Sequence, residues 1–119
     1  MAKNDCVFCK IIAGEIKNKF LYESDKVAAF RDVRPIAPVH VLIIPKEHIE
    51  SMNDLAENHK ELVGEMLLAA VKIAKDLNIA SGGHKLLIRT GRHGGQEISH
   101  IHLHLLGGAK LSEGIHPIE

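Results

Sequence analysis

Tryptophan is absent from this chain, and aromatic residues of any kind are scarce, with three Phe and one Tyr in 119 residues. A core has to be built from aliphatic side chains. The 45% hydrophobic content is enough for one domain, spanning residues 1–119. Charge of either sign is not in excess. Lys plus Arg and Asp plus Glu number 15 each, so the net charge is zero with neutral histidines. That argues against nucleic acid as a partner, which calls for a basic footprint, but leaves room for a local anion pocket. Long hydrophobic runs are also missing. The apolar stretch from Cys6 to Ile12 is interrupted by Lys10 and is too short for a secretory segment or a membrane span. No membrane partner is expected. Cysteine occurs twice, as a single C-x-x-C at Cys6 and Cys9. A cytoplasmic location with reduced thiols is the expectation.

Histidine, by contrast, is abundant, with nine in the chain. Three of them alternate with aliphatic residues in His100-Ile101-His102-Leu103-His104-Leu105-Leu106. A strand turns successive side chains to opposite faces, so this pattern predicts three imidazoles on one face and an aliphatic face for the core. Imidazole is the side chain suited to act as nucleophile, acid, base or metal ligand near neutral pH. An ordinary half-buried strand would place polar residues there without needing the same one three times. The row is too long for one metal ion. Residues i and i+4 of a strand lie about 13 Å apart, whereas zinc–nitrogen bonds are about 2.0 Å. The row therefore divides its labour, with one imidazole doing chemistry and another binding elsewhere or orienting the first.

Five strands are predicted: Phe20 to Glu23, Lys26 to Arg31, Val39 to Ile44, Lys85 to Thr90, and Ile98 to Leu106. Ser24-Asp25 makes the first turn, Asp32 to Pro38 is a loop, and Pro45 stops the third strand. Residues 5 to 13 read as a short helix or turn ending at Gly14. One long helix begins near Asp54. Its apolar positions Leu55, His59, Leu62, Val63, Met66, Ala70, Ile73, Ala74 and Leu77 follow three-and-four spacing. Asp54 and Glu57 have the spacing of a capping box, and Ser81-Gly82-Gly83 closes the segment. Gly91 to Gln96 is a glycine-rich loop. The class is α+β, with an antiparallel sheet of about five strands, one long helix and a short N-terminal helix.

The glycines Gly91, Gly94 and Gly95 precede the histidine row, where successive backbone N–H groups can cradle an anion. Beside them, imidazole can attack phosphorus or protonate a leaving group. Cys6 and Cys9 have the spacing of metal ligands, and a structural zinc site needs two more. His48 and His100 are candidates. Two buried small hydrophobes are the competing reading, whereas a redox pair lacks the βαβ context it needs. His40 sits between Val39 and Val41 and can face a pocket. His59, His84, His93 and His116 read as solvated or helix-surface groups.

The run from His100 to Leu106, with Gly94-Gly95-Gln96 before it and Gly107-Gly108 after it, resembles the histidine triad (HIT) family in its nucleotide-binding, purine nucleoside phosphoramidase-like branch. Phe30 to His40 and Ile43 to Ile49 resemble two further segments of that branch, and the likeness spans roughly residues 6 to 108. The resemblance implies a HIT-like homodimer with its two sheets joined. It implies hydrolysis of purine nucleoside phosphoramidates of the AMP–amine type, with no cofactor required for catalysis. His102 would attack the α-phosphorus and carry the nucleotidyl group, and His104 would hold phosphoryl oxygens. His40 would support the pocket. Gly95, Gln96 and the amide of Glu97 would hold the phosphate, Asp32 would take the ribose hydroxyls, and Phe8 and Val33 would flank the base. Relatives with C-x-x-C at this place often bind zinc, which here would fall to Cys6, Cys9, His48 and His100. Several positions depart from the pattern. Arg89 replaces a usual asparagine and could reach the phosphate or block part of the pocket. Glu97 replaces a serine of some relatives, and its side chain is expected to point away from phosphate. Ser99 replaces a common aromatic, and no Trp lines the leaving-group side. Hydrolysis of dinucleoside polyphosphates and non-catalytic nucleotide binding are the alternative functions.

Overall fold

Period-two alternation is met by a five-stranded antiparallel sheet in the computed structural model, which describes residues 5–118. The strands are β1 (Phe20–Glu23), β2 (Val27–Arg31), β3 (Val39–Pro45), β4 (His84–Ile88) and β5 (Leu103–Gly107), in the order β1-β2-β3-β5-β4. The odd-numbered residues Val27, Ala29, Val41, Ile43, Leu103 and Leu105 face one helix, α2 (Lys60–Asp76), and pack on its Met66, Ala69, Ala70, Ile73 and Ala74. The even-numbered Ala28, Phe30, Leu42 and Ile44 face the opposite side. There a six-residue helix, α1 (Val7–Ile12), lays Phe8 and Ile11 against them. In register, His40 pairs with Leu106 and Leu42 with His104. Both histidines thus share the face away from α2, beside α1. Among the described residues no helix is long and apolar enough to cross a membrane.

The fold class agrees with the expectation, and several boundaries do not. The strand containing the histidine row begins at Leu103 rather than Ile98, so only His104 of the three lies in a strand. The cause is Pro45. The register Ile43↔Leu103 would set Pro45 against Ile101, and proline has no N–H to donate. The Ile101 carbonyl is thereby denied a ladder donor, the Pro45 carbonyl takes the His100 ring, the Ile101 N–H donates to the Ile49 carbonyl at 2.7 Å, and the chain bends through residues 98–100. β4 spans His84–Ile88 rather than Lys85 to Thr90, and Gly91–Gly94 forms a single helical turn, α3, rather than a loop.

The long helix starts six residues late. Met52–Asp54 and Glu57–His59 are separate 3-10 turns, split by extended backbone at Leu55 and Ala56. Asp54 closes a capping box opened by Ser51, accepting from the Ser51 N–H at 3.1 Å, and does not open one with Glu57. The far end of α2 also comes early. Asn78 takes a left-handed conformation with φ 61°, and the Ile79 N–H donates to the Ala74 carbonyl. That closes the helix before the expected Ser81-Gly82-Gly83.

Candidate active site

A cleft of about 630 Å³ opens on the sheet face beside α1. Phe8, Phe30 and Leu42 give it an apolar wall; Asp32, His40, His102, His104, Arg89 and Glu97 are among its polar groups, and Lys17, Arg31 and Arg34 add further positive charge to its lining. Phe8 projects from the turn between the two cysteines. Its ring stands edge-on to those of His102, at 5.1 Å between centroids, and His100, at 5.7 Å.

The hydrogen bonds assign each imidazole its proton. The Ile36 N–H donates to His40 Nδ1 at 3.2 Å. A neutral His40 then carries its proton on Nε2, which donates to His104 Nδ1 at 2.9 Å. His104 in turn holds its proton on Nε2, a buried atom with no partner among the described residues. His102 has the reverse arrangement. Its Nδ1–H donates to the carbonyl of His100 at 2.8 Å, so a neutral ring keeps its lone pair on Nε2. The site thus sets a lone pair and a donor side by side, on rings whose centroids are 4.9 Å apart.

Burial keeps these rings neutral. His104 is 8% exposed. Desolvation first, and then the neighbouring His102, His40 and Arg89, lower its pKa to about 4. Desolvation likewise lowers His102, against the opposing pull of its bond to the His100 carbonyl. It lowers His40 too, against the pull of Asp32. Neutral imidazole is the form that attacks an electrophile.

Other predicted site residues fall in and out of the cleft. Asp32 lines it; one carboxylate oxygen accepts from the Arg34 N–H at 2.9 Å and the other lies 3.4 Å from His40 Nε2. Val33 stands on its lip, 86% exposed, and Gly95 lines it with φ 80°. Gln96 is not brought to the cleft. Its side chain accepts from the Gly91 N–H at 3.0 Å and donates to the carbonyls of Glu50 and Ile98, stapling the loop together. Glu97 is among the residues that line the cleft. The sequence reading missed Phe30 and Leu42 as cleft walls, although Leu42 is two residues from His40 on the same strand face.

A second cluster adjoins the first. One ligand atom each from Cys6, Cys9, His48 and His100 lies within 4.8 Å of the others. Cys6 Sγ is 3.3 Å and Cys9 Sγ 3.6 Å from His100 Nδ1, and Cys9 Sγ is 3.3 Å from His48 Nδ1. Tetrahedral zinc with bonds of 2.3 Å to sulfur and about 2.05 Å to nitrogen requires sulfur–nitrogen separations of about 3.6 Å. The tautomer also fits, because His100 Nε2–H donates to the Pro45 carbonyl at 2.8 Å and leaves Nδ1 to ligate. Asp32, His40 and His104 are grouped closely as well, but there the tautomer is wrong. A metal on His40 Nε2 would force a proton onto Nδ1, which already accepts from Ile36. The hydrogen-bond chain there runs from the Ile36 N–H through His40 to His104, with the Asp32 carboxylate alongside at 3.4 Å from His40 Nε2.

Comparison with known proteins places this geometry in context. A family model described as the scavenger mRNA decapping enzyme C-terminal binding family matches residues 5–116. The chain is 48% identical over 107 residues to the purine nucleoside phosphoramidase of Escherichia coli K12, covering 90% of each chain. It is 47% identical over 107 residues to an uncharacterized HIT-like protein of Buchnera aphidicola, covering 90% of this chain and 96% of that one. A HIT family hydrolase from Legionella pneumophila superposes with a TM-score of 0.89 at 44% identity, covering 92% of this chain and 97% of that one.

Proposed function

The chain belongs to the histidine triad family, and on that premise we propose that it hydrolyses purine nucleoside phosphoramidates of the AMP–amine type. The observation that carries this reading is the bond from His102 Nδ1–H to the His100 carbonyl, which leaves a neutral Nε2 lone pair inside the cleft. His102 Nε2 attacks the α-phosphorus, a bond from nitrogen to phosphorus forms, and the phosphorus–amine bond breaks as the departing nitrogen takes up a proton. Water then cleaves the nucleotidyl–histidine, which releases AMP, restores the lone pair and returns a proton. The unpartnered His104 Nε2–H suits a phosphoryl oxygen, and Arg89 adds positive charge beside it. Phe8 and Val33 flank the base, and Asp32 takes the ribose hydroxyls. Gly95 and the amide of Glu97 complete the phosphate cradle, with Gln96 supporting it by fixing the loop.

The test is the His102→Ala variant. Turnover of an AMP–amine conjugate is expected to vanish while AMP still binds; near-wild-type turnover would refute the assignment.

The thiol–imidazole cluster is read as a structural zinc site, clasping α1 to the segment that leads into β5 and leaving His102 and His104 for the nucleotide. Catalysis itself draws on no cofactor. A homodimer is the assembly we favour. β4 is an edge strand, and α2 exposes Leu67, Leu68 and Val71. Pairing β4 with its copy would continue the sheet and close that edge. The 119 residues are taken as one domain working in the cytoplasm, where the thiols stay reduced.

A further inference from the structure

Two nucleophiles take no part in the chemistry proposed above. Cys6 and Cys9 are not joined by a disulfide, and the turn between them carries Phe8. Cys6 is the N-cap of α1, and its sulfur accepts from the Cys9 N–H at 3.4 Å. The two sulfurs lie within 4.8 Å of each other. They differ in access, since Cys6 is fully buried and Cys9 half-buried. A small neutral oxidant therefore reaches Cys9 first and finds a second sulfur behind it, the arrangement of a reactive cysteine with a resolving partner.

The pair is tied to the cleft at two points. Phe8 sets its ring edge-on to those of His102 and His100. Both sulfurs approach His100 Nδ1, and the carbonyl of that same residue fixes the His102 ring. Residues three apart on a helix have Cβ atoms about 5–6 Å apart, whereas a disulfide needs about 3.8 Å. Closing the bond tightens the first turn of α1 and draws Cys9 Sγ from His48 and His100. Phe8 lies inside the closed loop and moves with it.

We propose that Cys9 is a site of oxidation by hydroperoxides, that Cys6 resolves it to a disulfide, and that this disulfide loosens the nucleotide cleft. The Cys9 sulfur attacks one oxygen of hydrogen peroxide, the O–O bond breaks, and the thiol proton leaves with the other oxygen as water. The Cys6 sulfur then attacks the Cys9 sulfenic acid. A sulfur–sulfur bond forms, the sulfur–oxygen bond breaks, and the hydroxide departs with the Cys6 proton as a second water. Two thiols give up two electrons, and the peroxide takes them. With zinc on the pair, solvent supplies the two protons, and the metal is released because a disulfide sulfur carries no thiolate charge. No thioredoxin-like setting is needed, since the peroxide is the oxidant. The control over the cleft rests on the phosphoramidase reading; the oxidation of the pair does not.

The full chain as purified is treated with hydrogen peroxide, and catalase removes the excess. AMP binding is measured by calorimetry before treatment, after it, and after dithiothreitol. The intact mass should fall by two hydrogens, and zinc should appear in a chromophoric chelator. AMP should bind about tenfold more weakly, the worth of about one aromatic contact. Dithiothreitol should restore the affinity, which separates the disulfide from oxidation of the three methionines, since a sulfoxide needs its own reductase. In Cys6→Ser, Cys9 should stop at the sulfenic acid and be captured by dimedone, and Cys9→Ser should show no such label. Survival of both thiols in peroxide, or a disulfide that leaves AMP affinity unchanged, would overturn the inference while the phosphoramidase reading stands. A reduced protein that binds no AMP would overturn both.

Discussion

Protonation of His104 sets a measurable pH dependence of stability. The folded chain holds this ring at a pKa of about 4, against 6.5 for the free side chain. Below pH 6.5 the unfolded chain therefore takes up a proton that the folded chain refuses. The stabilisation is complete above pH 6.5, declines as the pH falls, and is exhausted near pH 4. Between pH 8 and pH 5 the unfolded state gains about 1.5 pH units of proton affinity over the folded one, or about 2 kcal/mol. Because the ring is 8% exposed, solvent screening takes little from that figure. His104→Gln isolates the effect. Its amide oxygen can accept from His40 Nε2–H and its nitrogen can donate into the cleft, but it does not titrate. Urea unfolding of both proteins at pH 8 and pH 5, at one fixed protein concentration, should show wild type losing about 2 kcal/mol more than the variant. Equal losses would mean that His104 is as easily protonated folded as unfolded, and would refute the neutral relay.

Purified without chelator, the protein should carry about one equivalent of zinc, and the double variant Cys6→Ser, Cys9→Ser should carry under about one-tenth and melt at a lower temperature. An unchanged metal content and melting point would count against the site. Leu68 is 70% exposed on α2, and Leu68→Asp should shift the mass by light scattering from about twice the 13.1 kDa chain towards the single chain. A wild-type protein already monomeric at micromolar concentration would dispose of the dimer.

Much of the architecture was readable because local pattern and tertiary structure agree. The alternation in Val39 to Ile44 is the alternation of β3, and the three-and-four spacing of Met66, Ala70, Ile73 and Ala74 is the buried face of α2. Reading failed where the decisive partner lies far along the chain. Nothing in His100 to Leu106 announces that Pro45 will face Ile101 and deny its carbonyl a ladder bond, so the alternation alone predicts a strand through the whole row. Leu55 keeps helical spacing although its backbone is extended. Spacing also cannot say which atoms a side chain will meet. The family resemblance implies a Gln96 that holds the phosphate, while its amide is consumed by Gly91, Glu50 and Ile98. The placement of protons in the site was illegible for the same reason, since it depends on the Ile36 amide and the Pro45 and His100 carbonyls.

The contact between Cys6 and His100 joins positions 94 residues apart. During synthesis at about 5–20 residues per second, the two thiols leave the ribosome roughly 5–20 s before the imidazole that will meet them. Until then Phe8 has no ring of His100 or His102 to lean on, and the six-residue α1 is too short to hold itself helical in water. Phe30 and Leu42, which share the apolar wall with Phe8, are already in place by then, so it is the histidine side of the cleft that waits for the end of the chain. A nascent chain can have β1, β2, β3 and α2 paired and packed while its nucleotide pocket does not yet exist, and for that interval its two cysteines are open to any oxidant or stray metal in the surroundings.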